Sequence, residues 1–144
     1  MKKGFTLIEL LFVVILLLLI VGISIPIYMK VVDNTHKKIA IQNAEMIVEN
    51  TFNSINLALA NGEIINYPLK FNINGGKQVT SDNVTMKFKN ELPDNGYIIV
   101  NSDLEVALAL FDYEYCIVKE YYKNIEVLDI IDSAECINYI KNLY

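Results

Sequence analysis

The residues able to do chemistry are few, and the most unusual is a carboxylate. Glu9 lies in "KKGFTLIEL", which opens into "LFVVILLLLIVGISIPIYM", and no further ionisable residue follows until Lys30. A charge at bilayer depth costs roughly 2.5–3.5 kcal/mol on insertion scales, so such a residue marks a functional site whose partner must be found. One other feature invites a chemical reading. Cys116 and Cys136 are the only cysteines. Outside a membrane such a pair reads as a disulfide, with two buried free thiols as the alternative. A bridge there would stabilise by about 3 kcal/mol in the chain-entropy model and pin the carboxy-terminal segment.

The remaining candidates weaken on inspection. His36 is the only histidine and has no His or Cys companion at ligand spacing, which argues against zinc. "NGGK" at 74–77 lacks the earlier Gly and the following Ser or Thr of a phosphate loop. Asp129, Asp132 and Glu135 are grouped but follow no calcium-loop pattern. Neither metal nor cofactor is expected, and no residue set suggests an enzyme. All 12 basic residues are Lys, and 17 acidic residues bring the net charge to −5, a balance that argues against nucleic-acid binding.

The elements that would position Glu9 begin with the apolar run itself. Residues 5–29 would form a helix of roughly 37 Å, and a bilayer core needs about 20 apolar residues. The run is longer than a secretory h-region, and no A-x-A site follows it. Lys2 and Lys3 favour an inside amino terminus, while Lys30, Lys37 and Lys38 on the other flank weaken that bias. Gly22 and Pro26 interrupt the run; Pro removes a helical hydrogen bond and bends the chain. The bend is either without consequence or a place where the helix can loosen.

Beyond Pro26 a stripe continues through Ala40, Ala44, Ile47, Val48, Thr51, Phe52, Ile55, Ala58 and Leu59 at i, i+3, i+4, i+7 spacing. Residues 30–61 are therefore expected to lay one helical face on a domain, with Asn61-Gly62 as the stop. Residues 62–82 read as irregular. Strands are expected at 84–88 and 97–101, with "LPDNG" at 92–96 as the turn between them. Ser102-x-x-Glu105 has the form of a helical capping box, but the alternation of Val106, Leu108 and Leu110 favours a strand that completes a meander with "YEYCIVKEY". "IEVLDII" extends or covers the sheet. A short helix from Asp132 or Ser133 closes the chain, with Ile137, Ile140 and Tyr144 inward. The expected fold is α+β: a long amino-terminal helix on an antiparallel sheet of about four strands.

"KKG-FTLIEL" followed by an unbroken apolar helix resembles the start of a type IV prepilin. The resemblance covers about the first 30 residues, and the rest agrees in layout. It implies a leader of residues 1–4, cleavage by a prepilin peptidase between Gly4 and Phe5, and N-methylation of Phe5. It further implies filament assembly through Phe5 and Glu9, a kink at Pro26, and a globular region, 62–144, holding an αβ-loop, the sheet and the carboxy-terminal segment. A carboxy-terminal bridge comparable to Cys116–Cys136 is common in the family. The partners implied are further copies of the chain, the peptidase, an assembly ATPase, a membrane platform, and membrane lipid before assembly. The location implied is the cell membrane, then an extracellular pilus serving adhesion, motility or DNA uptake. A type II secretion pseudopilin is the neighbouring alternative. A single-span membrane protein with an outer binding domain is the alternative of another class.

Overall fold

The computed structural model describes residues 6–80, 84, 86, 88 and 92–144. The chain divides into two compact units, Met1–His36 and Lys37–Tyr144. Its first element, α1, is a 54-residue helix, Leu7–Ala60, that runs through Pro26.

In the first unit the described residues from Thr6 to Val31 are all exposed. Apolar residues occupy every side of the helix along this stretch. Its length and composition suffice to cross a membrane.

The second unit is an α+β domain. A six-stranded sheet comprises β1 (Leu69–Asn74), β2 (Lys77–Thr80), β3 (Asn95–Val100), β4 (Val106–Asp112), β5 (Tyr115–Lys119) and β6 (Ile125–Leu128). The order is β2-β1-β3-β4-β5-β6, with every pair antiparallel. A final helix, α2, spans Ser133–Lys141.

Strand alternation sends two different sets of side chains to the two faces. Leu69, Phe71, Ile73, Ile98, Val100, Val106, Leu108, Leu110 and Ile117 share a core with Ala40, Ala44, Ile47, Ile55 and Ala58 of α1. Tyr97, Ile99, Ala107, Ala109, Cys116 and Val118 share a second core with Cys136 and Ile140 of α2. The small residues Ala107 and Ala109 lie in the cluster that α2 covers. A disulfide joins Cys116 on β5 to Cys136 on α2.

The α1 stripe buries Ala40, Ala44, Ile47, Thr51, Ile55 and Ala58. Phe52 and Leu59, expected on that stripe, are 44% and 43% exposed. They flank the buried row, because a flat sheet covers a narrower arc of helix than the apolar residues span. The helix stop holds. Gly62 takes φ +79°, its N–H donates to Leu59 O, and the N–H of Glu63 donates to Ala58 O. These are the two bonds of a Schellman cap.

Three expectations need correction. Among the described residues the sheet has six strands rather than about four. The additional pair, β1 and β2, forms a hairpin within the stretch read as irregular. Its turn places Gly75 and Gly76 at φ +60° and +68°, the two left-handed positions of a type I′ turn. Tyr144, expected inward, is 41% exposed, with its ring 4.2 Å from that of Tyr121. The strand expected at 84–88 falls largely outside the described residues, although Val84 and Met86 are buried in the α1-side core. No helix starts at Ser102: the Asn101 side chain accepts the N–H groups of Asp103 and Glu105 and leads into β4.

Candidate functional site

The amino-terminal end of α1 carries the candidate site. Thr6 precedes the first helical residue, and Glu9 is the third residue of the helix. The Thr6 N–H and hydroxyl both donate to Glu9 Oε2, at 3.0 and 2.9 Å. The Glu9 N–H in turn points at Thr6 Oγ1, 3.4 Å away, and at Thr6 O, 3.0 Å away. This reciprocal arrangement is a capping box, which satisfies amide donors that the first helical turn leaves without partners. Glu9 is exposed. One carboxylate oxygen is thus engaged within its own chain, and the group is held at the helix end by Thr6.

Sequence reasoning singled out Glu9 and overlooked Thr6. The signal was available: Thr-x-x-Glu directly before an apolar run is the pattern of a capping box. Gly4 and Phe5, the residues named for cleavage, methylation and pairing with Glu9, lie outside the described residues.

Gly22 and Pro26 act on a single hydrogen bond. Pro26 has no N–H, and its i−4 acceptor in an α-helix is the Gly22 carbonyl. A Cβ placed on Gly22 would meet nothing within 4 Å. Two residues earlier the Ser24 hydroxyl donates to Ile20 O at 2.7 Å, a back-bond that slightly weakens a helix. A second back-bond of this kind runs from the Thr35 hydroxyl to Val31 O at 2.8 Å, so the first unit carries local weaknesses at residues 20–26 and again at 31–35.

In the second unit the named residues take structural roles. Cys116 and Cys136 are fully buried and bonded. The "NGGK" segment is the β1–β2 turn, and the Gly75 N–H donates to Asp94 O at 2.7 Å. Among the described residues no three His, Cys, Asp or Glu side chains are grouped to hold a metal. Asp132 instead caps α2, its Oδ1 accepting the Glu135 N–H at 2.9 Å. At the β5–β6 turn, Lys123 and Tyr139 hold the Glu120 carboxyl below its ordinary range. Burial, with the phenols of Tyr144, Tyr97 and Tyr122, pushes Tyr121 up to about 12.

No family model, curated protein or solved structure matches this chain.

Proposed function

We propose that this protein is a structural subunit of the type IV pilin class, cleaved after Gly4, methylated on Phe5 and polymerised through its amino-terminal helix. The observation that carries the reading is a carboxylate at the start of a helix that is apolar on every side and uncovered along its first 25 residues. Two further features support it: the "KKGFTLIE" motif, and the α+β, disulfide-bonded domain on the same helix.

The physical logic is one of register. Helices of uniform Leu, Ile and Val pack against one another with little preference for axial position. Cleavage after Gly4 would create an amine one helical turn from Glu9. In a bundle, an axially shifted neighbour would bring its own amine to the Glu9 carboxylate. Leaving one partner of a buried pair unmatched costs about 3–5 kcal/mol, so only staggers that match amine to acid survive. The chain has no enzymatic role in this reading. Its partners are copies of itself, the processing peptidase, an assembly ATPase with its membrane platform, and lipid before assembly.

Mass spectrometry of the amino terminus of protein sheared from cells tests the proposal. Methylated Phe5 is the expected result. An intact Met1 on a chain that never leaves the membrane would favour the single-span reading instead. A calcium-dependent rise in melting temperature would favour a secretion pseudopilin. Glu9→Ala is expected to be processed normally yet to be missing from filaments, and normal fibre yield would remove the carboxylate's proposed role.

A further inference from the structure

Among the described residues the sheet ends at β6, whose one strand neighbour there is β5. Half of the N–H and C=O groups of Ile125–Leu128 therefore point away from the sheet and offer a pairing edge. Natural edges are commonly blunted by lysine, proline or a bulge. β6 reads Ile-Glu-Val-Leu and holds neither lysine nor proline. The chain then runs through Ile131, which is 89% exposed.

Directly after β6 lies a cleft of about 450 Å³, lined by Ile130, Asp132, Glu135, Asn138, Tyr139 and Asn142 among others. Ile130 stands two residues beyond the strand, about 7 Å of extended chain. No residue of β6 itself lines the cleft, and Ile130 is the link between the edge and it. Both are acidic: Glu126, Asp129, Asp132 and Glu135 recur every third residue, and residues 124–140 contain no Lys, Arg or His. Of the flanking cations, Lys141 lies over the Tyr97 ring at 5.1 Å, and Lys123 pairs with Glu120 at 2.7 Å while its charge also acts on Glu126 and Tyr139 at the start of the edge.

We infer that β6 and the cleft beside it form a docking site for an extended, lysine- or arginine-bearing peptide segment of another protein. The segment would add as a seventh strand through main-chain hydrogen bonds. One basic side chain would enter the cleft, its charge facing Asp132 and Glu135 and its stem against Tyr139. A second copy pairing β6 to β6 is the poorer occupant, because it would bring Glu126 and Asp129 of both copies to one seam, where like charges repel.

The test uses the full chain in detergent micelles, isotopically labelled, and a capped eight-residue peptide alternating lysine with valine. The expected result is about tenfold slower amide exchange at the outward N–H groups of Ile125–Leu128. The same peptide with glutamate for lysine should give no protection. A version N-methylated at alternate residues, which cannot pair along an edge, should also give none. In the protein, Glu126→Gln with Asp132→Asn and Glu135→Gln preserves the α2 cap and should weaken binding about tenfold. Absence of protection at saturating lysine peptide, or equal protection by the acidic one, would overturn the inference. Since none of these measurements needs polymerisation, such a failure would leave the filament proposal standing.

Discussion

Thr6 and Glu9 hold each other: both donors of Thr6 meet one oxygen of Glu9, and the Glu9 N–H returns toward the Thr6 hydroxyl. The carboxylate that the filament proposal assigns to a neighbouring chain therefore already serves its own helix. The two roles are compatible, because a carboxylate offers about four acceptor positions. They also give Thr6 a measurable task. Thr6→Val keeps the side-chain shape and deletes the hydroxyl, which should cost about 1 kcal/mol at the helix end, seen as about fivefold faster amide exchange at Leu7–Leu10 in micelles. Thr6→Ser should restore the protection. Unchanged exchange in Thr6→Val would show that the cap contributes nothing.

The α2 helix depends on one covalent link and one small core. Replacing both Cys116 and Cys136 by Ala opens a bridge across a sequence separation of 20 and should lower unfolding free energy by about 3 kcal/mol in urea titrations. Amide protection should fall first in α2 and only later in β3 and β4, which keep the α1-side core. Simultaneous loss across both faces would contradict the two-core description.

Gly96 is needed for space, not for its backbone freedom. A Cβ there would stand 2.8 Å from Leu110 Cδ2 and 3.0 Å from Ile73 Cδ1, both in the α1-side core. Gly96→Ala should therefore destabilise by roughly 1–3 kcal/mol. Gly22→Ala, with open space around it, should leave the sheet domain's urea midpoint unchanged.

The β4–β5 turn runs the other way. Tyr113 and Glu114 occupy left-handed backbone at φ +49° and +67°, where side chains are disfavoured and Asn-Gly is preferred. Tyr113→Asn with Glu114→Gly should raise stability by about 1 kcal/mol, read as a higher urea midpoint at unchanged slope.

Tyr121 gives the domain an alkaline limit. Its phenol is pushed up to about 12 by burial and by Tyr144, Tyr97 and Tyr122, whereas an unfolded tyrosine ionises near 10. The folded state then binds the proton more tightly than the unfolded chain. The resulting stability is full below pH 10 and is lost as pH rises towards 12. Tyr97, Tyr122 and Tyr139 are also raised, so phenolate absorbance should show a late-titrating group, and Tyr121→Phe should remove its latest step and that residue's share of the alkaline destabilisation.

The parts legible in the sequence were those fixed by local chemistry. The α1 stripe follows from Ala40, Ala44, Ile47, Thr51, Ile55 and Ala58, the helix stop from Asn61-Gly62, and the start of α2 from Asp132. The β1–β2 hairpin was missed although Leu69, Phe71 and Ile73 alternate before Asn74-Gly75-Gly76. Pro68 just ahead of the run and two adjacent glycines within it gave the segment the composition of a loop, while sheet pairing overrode it. Thr6 is less legible, because a carboxylate in an apolar run implies a distant partner while its hydrogen bonds are made three residues away. Phe52 and Leu59 were placed inward because helical spacing reports apolar width and not the narrower arc that a sheet can cover.

Two unlike cores on opposite sides of one sheet also govern how the domain can change in length. One residue inserted directly after Gly96 would swing Tyr97 into the cluster of Ala40 and Ala44 and send Ile98 toward Ile140, misfitting both layers in a single step. Variation in chain length is thereby pushed out to the hairpin tips, where a graft or tag at Gly75-Gly76 would leave the strand pairing in phase.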